Sequence, residues 1–223
     1  MTVPATPLDA LLTEIRACTV CAPHLPLGPR PVLRAAASAR LLIVGQAPGT
    51  RVHATGIPWN DASGDRLRQW LALDRGTFYD ERRIAIIPMG FCYPGKGRAG
   101  DLPPRPECAP LWRERLHAQL PAIGLTLLIG QYAQAWYLGA RRAASLTETV
   151  RRWQDHLPHF FPLPHPSPRN QLWLRRNPWF EAEVLPQLRQ RLRALDLPAI
   201  AAAGTGDDEP CMGGGSIGTP GAD

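Results

Sequence analysis

Four cysteines and one histidine carry most of the chemical information in this chain. Cys18 and Cys21 form a C-x2-C near the start, and Cys92 and Cys108 stand far downstream, sixteen positions apart. Four thiolates from two distant pairs could hold a [4Fe–4S] cluster, which takes one cysteine per iron. They could equally hold tetrahedral zinc. The fifth cysteine, Cys211, lies in an Ala/Gly-rich tail and is set aside. His165 opens a His-Pro-Ser-Pro stretch just after an apolar run. A histidine so placed can donate to an oxygen on which negative charge develops. Trp59, between Pro58 and Asn60-Asp61, reads as an aromatic in a loop rather than in a core helix.

The elements that must position these residues follow from hydrophobic period. Residues 8–17 have apolar positions at helical spacing and lead into Cys18. Apolar runs at 40–44, 84–89, 125–129 and 160–163 read as strands. Helices are predicted over 64–73 with Ser63 as cap, and over 108–119, 131–138, 147–155, 171–176 and 178–194. Residues 22–35, the turn-rich Gly45–Asn60 and the proline- and glycine-rich 93–106 read as irregular. Alternating strands and helices predict an α/β three-layer sandwich with a short, mostly parallel central sheet. Ligands of such folds collect at the carboxyl ends of the strands. Gly45–Gly49, Pro88–Cys92, Gly130 and His165–Asn170 all follow strands, so they are expected to converge on one cleft.

One domain over 1–198 is expected, followed by a disordered acidic tail over 199–223. That tail holds Asp207, Asp208, Glu209 and Asp223 and no basic residue. With those four charges set aside, the net charge of +6 becomes +10 on residues 1–198. A basic body suits a polyanionic partner. Lys96 is the only lysine, and arginine codon bias accounts for the excess equally well. No apolar run nears the roughly 18 residues of a membrane span. No secretory leader is evident either, so a cytoplasmic protein that does not engage membranes is expected. Its cysteines are then ligands or free thiols rather than disulfides.

In order and spacing these motifs resemble the uracil-DNA glycosylase superfamily, most closely its iron–sulfur branch (family 4). The residues that carry the resemblance are Cys18 and Cys21, Gly45-Gln46-Ala47-Pro48-Gly49, Gly56-Ile57-Pro58-Trp59, Cys92, Cys108 and His165-Pro166-Ser167. It implies a monomeric, monofunctional base-excision glycosylase acting on DNA, with a [4Fe–4S] cluster on the four cysteines. Zinc is the alternative occupant. It further implies that Gly45, Gln46 and Ala47 lie beside a flipped nucleotide, with Trp59 stacking on its base and His165 stabilising the departing base. Ser167, Arg175 and Arg176 would contact phosphate, and Arg169 stands where relatives place a wedge. Two positions depart from the pattern. Gln46 replaces a glutamate, leaving Asp61 or Asp65 as possible carboxylates. Pro88 replaces the asparagine that reads uracil, leaving the Met89–Phe91 backbone or Asn170 as possible readers. The alternative function is a DNA-binding member of the same fold that has lost excision.

Overall fold

A computed structural model describes residues 5–98 and 100–197. The predicted tail, its boundary at 198 and Cys211 lie outside them. Strands β1 (Leu41–Val44), β2 (Ile84–Ile86), β3 (Lys96–Gly97), β4 (Gly100–Asp101), β5 (Leu125–Ile129) and β6 (Phe160–Leu163) form two sheets. The main one has the order β2-β1-β5-β6, and every pairing in it is parallel. The other is an antiparallel ribbon of β3 and β4.

Successive strand residues point to opposite layers, so a parallel sheet buried on both faces needs nearly continuous apolar runs. Leu41, Ile43, Leu127, Ile129 and Phe161 enter one core. Leu42, Val44, Ala85 and Leu128 enter the other. The helices are α1 (Pro7–Arg16), α2 (Thr50–Thr55), α3 (Ala62–Leu71), α4 (Arg75–Tyr79), α5 (Cys108–Ala118), α6 (Gln131–Leu138), α7 (Leu146–Arg151), α8 (Gln171–Arg176) and α9 (Leu185–Ala194). Leu67, Trp70 and Leu71 of α3 and Leu185, Leu188 and Leu192 of α9 cover the first face. Leu8, Leu11, Leu12 and Ile15 of α1 cover the second, with Trp112 and Leu116 of α5 and Ala133 of α6. The three-layer sandwich expected from the sequence is the fold observed.

Local chemistry sets the ends of the helices. Thr6 and Asp9 close a capping box on α1: the Asp9 amide donates to Thr6 Oγ1 at 3.2 Å, and the Thr6 amide to Asp9 Oδ2 at 2.9 Å. Helix α3 corrects one expectation, because its cap is Asp61 and not Ser63. The Gly64 amide donates to Asp61 Oδ1 at 2.8 Å, which starts the helix two residues early. The stretch 45–60 also holds a helix that was not expected, α2, ended by Gly56 at φ +70°. The 178–194 helix begins as a π-helical turn over Phe180–Val184.

After β2 the chain crosses back over β1 to add β5, so strand order reverses between β1 and β5. In open α/β sheets that reversal opens a crevice beyond the strand ends. Phe161 anchors the β6 side of the sheet, fully buried and stacked on Trp153 at 4.7 Å. Phe161→Ala is expected to cost about 3–5 kcal/mol of stability in denaturant unfolding, through the cavity it leaves.

Candidate functional site

A cleft of about 700 Å³ opens at the carboxyl ends of the strands. Its floor begins one residue after β1. A Cβ at Gly45 would meet Trp59 Cζ2 at 2.7 Å, so only glycine lets the indole lie against this strand end. Trp59 itself has φ +56°, a conformation costly for a bulky residue and held here by its surroundings. Its carbonyl accepts from Arg68 Nη1 and from the Tyr79 hydroxyl, both at 3.2 Å. Gly64 is as tightly required, since a Cβ there would collide with the same carbonyl. The indole stands beside the His165 ring with centroids 5.7 Å apart.

His165 is delivered by β6 and fixed from behind: Asn170 Nδ2 donates to the His165 carbonyl at 2.8 Å. Burial pushes the His165 pKa down, and the Asp61 carboxylate only partly opposes this. The ring is therefore neutral at neutral pH, with one N–H to donate. Ser167 caps the turn that follows, its Oγ accepting from the Arg169 amide at 3.2 Å.

The cleft gathers Gly45, Gln46, Ala47, Trp59, Asp61, Pro88, His165, Ser167, Arg169 and Asn170. Arg175 and Arg176 are exposed on α8 and do not line it. Asp65 is drawn away to Arg68 as an ion pair. Arg169 packs on the β3–β4 ribbon, where a Cβ at Gly100 would meet its Nη1 at 2.7 Å. Segment 88–92 serves two sites rather than one: Pro88 lines the cleft, whereas Gly90, Phe91 and Cys92 line a second cavity.

The amides after Pro88 are already committed, which leaves the carbonyls of Met89 and Gly90 as the groups of this backbone that could face a base. The Met89 amide donates to Gly45 O and the Gly90 amide to Gln46 O, both at 2.9 Å. The Phe91 amide donates to Cys108 Sγ at 3.4 Å. The Pro88 carbonyl accepts from buried Arg113 at 2.5 Å. Asn170 gives one Nδ2 hydrogen to the His165 carbonyl and still lines the cleft.

Three polar lining residues were missed from sequence: Ser63, Asp101 and Gln131. Gln131 opens α6 one residue after Gly130 at the end of β5, so the strand-end rule could have found it. Asp101 gives no such signal, because it reaches the cleft only through the β3–β4 ribbon.

The second cavity is lined by all four cysteines, Cys18, Cys21, Cys92 and Cys108, with Phe91, Leu111 and Trp112 among its apolar walls. Cys18 follows the end of α1, and Cys108 is the first residue of α5. The two helices pack together, and Arg115 pairs with Glu14 across them at 2.9 Å. The four thiols are free of disulfides. Burial pushes the Cys92 thiol up to about 11 and the Cys108 thiol up to about 12. Among the described residues, no group of three or more His, Cys, Asp or Glu is gathered for a single metal ion.

A doubly covered parallel sheet with a polar cleft at its strand ends defines the class of architecture. A family profile narrows it: that of the uracil DNA glycosylase superfamily matches residues 34–189, more than half of the chain. The chain belongs to that superfamily, whose members are glycosylase-type hydrolases of DNA. The matched span holds the cleft residues together with Cys92 and Cys108, and begins after Cys18 and Cys21.

His165 in the folded protein is expected to titrate below the ordinary histidine value of 6.5. Nitrogen-15 NMR against the spectrum of His165→Gln measures this. His53, His117 and His156 are lowered by burial as well. Groups whose folded pKa is depressed bind more protons when unfolded, so their stabilisation is complete above about pH 6.5 and lost as pH falls below it. The melting temperature is accordingly expected to drop on acidification through that range.

Proposed function

We infer that the chain is a DNA N-glycosylase that removes a deaminated base by hydrolysis. The observation that carries this reading is the pairing of Trp59 and His165 on one wall of a strand-end cleft, where Gly45 leaves the room the indole needs. A base buried in a duplex cannot reach such a wall, so the nucleotide would be flipped out of the stack. Stacking on Trp59 contributes roughly 1–3 kcal/mol and is tolerant of base identity. As the glycosidic bond breaks, the sugar becomes cation-like and the base leaves as an anion. The His165 N–H, in a half-buried site where charge is poorly screened, donates to the base oxygen on which that charge gathers. Ser167 and Arg169 at the rim suit the flanking phosphates. Lys96, the only lysine, is exposed on β3 and does not line the cleft, so hydrolysis leaves an intact abasic strand.

The four-cysteine cavity suits a [4Fe–4S] cluster. A tetrahedral zinc draws its sulfurs to within about 3.8 Å of one another. A cluster carries one thiolate on each of four irons and so accepts a wider ring. The apolar walls and the Phe91 N–H directed at Cys108 Sγ are the surroundings that tune such a site. Held by Cys18, Cys21, Cys92 and Cys108, the cluster would tie the end of α1, the segment after β2 and the start of α5 into one unit. On this reading the chain would fall in the iron–sulfur branch of its family.

A second reading, a DNA-binding member without excision, draws on one observation. Pro88 offers no side-chain donor, and its carbonyl and the three amides after it are engaged elsewhere, so the edge of a uracil finds no N–H donor there.

Anaerobically purified protein is expected to release one base from oligonucleotides carrying uracil, hypoxanthine or xanthine. His165→Ala is expected to slow that release by about 100-fold or more under single-turnover conditions. Tight binding without release of any of the three bases would favour the second reading. The purified protein is also expected to be brown and to hold about four irons per chain. Cys108→Ala is expected to lose both the colour and the iron.

A further inference from the structure

The Gly45–Gly49 turn carries an amide, Gln46, where hydrolysis would be served by a carboxylate. An amide cannot take a proton from water. Yet a carboxylate does stand at this corner of the cleft, brought from another part of the chain. The Asp101 carboxylate lies against the turn, so that a Cβ at Gly49 would sit 3.3 Å from Asp101 Oδ2. Gln46 bonds the segment that carries it. Its Nε2 donates to the carbonyl of Leu102, the residue after Asp101, at 2.9 Å. The Leu102 amide in turn donates to Gly95 O at 2.9 Å, closing the β3–β4 ribbon. Only an amide can make the Gln46 contact, because a glutamate would set a carboxylate against a carbonyl oxygen.

We propose that Asp101 is the catalytic carboxylate of this cleft and that Gln46 is the positioning residue that holds its segment in place. The proposal rests on the excision reading above. Water attacks the anomeric carbon of the flipped nucleotide and passes a proton to Asp101. A carbon–oxygen bond forms as the carbon–nitrogen bond breaks, and the electron pair of the broken bond leaves with the base, whose oxygen His165 holds. Asp101 then returns its proton to solvent, and solvent protonates the released base.

The other carboxylate in the cleft is less free. Asp61 Oδ1 is engaged as the cap of α3. The charged groups that face Asp101 are Arg169 before α8, Lys96 on β3 and Asp61 before α3. The Gly45–Gly49 turn adds none. Partial burial raises the Asp101 pKa, Asp61 adds to the rise, and Arg169 and Lys96 oppose it. A carboxyl raised in this way is protonated, and idle as a base, further up the acid range than an ordinary one. The excision rate therefore rises with pH through its ionisation. Protonating His165 would strengthen its donation to the leaving base, so loss of rate in acid is not the signature of His165.

The test is single-turnover release from an oligonucleotide carrying uracil, or whichever of hypoxanthine and xanthine the wild type excises. It is run across pH with the full chain. Asp101→Asn is expected to lower the rate by about 100-fold or more and to abolish the acid limb. Its melting temperature and its binding to the same oligonucleotide are expected to stay unchanged. Asp101→Glu is expected to restore part of the rate together with the acid limb. Gln46→Glu is expected to lower the rate, whereas a Gln46 that was merely a weakened general base would gain activity. Asp101→Asn within threefold of an active wild type, or a Gln46→Glu faster than wild type, overturns this assignment and leaves the excision reading standing. A wild type that releases no base overturns both.

Discussion

A sheet whose strands are all parallel must be covered on both faces, and that constraint shapes everything else in this protein. Each strand has to be followed by a crossover through one of the two outer layers, so every carboxyl end emerges on the same edge. With strand order β2-β1-β5-β6, the crossovers diverge between β1 and β5, and the crevice opens there. Gly45, Pro88, Gln131 and His165 meet because they follow four neighbouring strands. The two cores, one filled by α3 and α9 and the other by α1, α5 and α6, hold those strand ends rigid.

Within the cleft, shape comes before charge. Gly45 and Gly64 leave room for Trp59 and its carbonyl, and Arg68 and Tyr79 hold that carbonyl in an otherwise costly backbone conformation. The wall so made is apolar and presents one neutral imidazole. In the proposed reaction this suits a base that leaves as an anion. Polar partners come from the β3–β4 ribbon, which lies against the Gly45–Gly49 turn. The cysteine cavity shares a strand end with the cleft, since Pro88 faces one and Cys92 the other. A cluster there would brace the backbone on which the cleft is built.

Much of this was legible in the sequence for identifiable reasons. The strands at 41–44, 125–129 and 160–163 are short apolar runs bounded by breakers, and burial on both faces admits little else. His165 was legible because it follows such a run, and Trp59 because Pro58 and Asn60-Asp61 exclude a helix around it. The two cysteine pairs, far apart in sequence, line one cavity in the fold. Helices α2 and α4 were not legible, being one to two turns long and set by caps rather than by an apolar stripe. Asp101 was hidden for a different reason. Its place depends on a ribbon of two-residue strands and on a hydrogen bond between residues 56 positions apart. Arg169 stood in the motif as a wedge, but it packs against Gly100, a neighbour no local pattern discloses.

The central claim is that His165 stabilises the negative charge of the departing base. The most direct measurement is the dependence of the excision rate on leaving-group acidity, using uracil and its more acidic 5-halogenated derivatives, in the wild type and in His165→Ala. If His165 carries that charge, removing it makes the rate markedly more sensitive to acidity, because the base must then bear the charge unaided. Equal sensitivity in the two proteins would contradict the account and move His165 from the chemistry to the packing of the cleft.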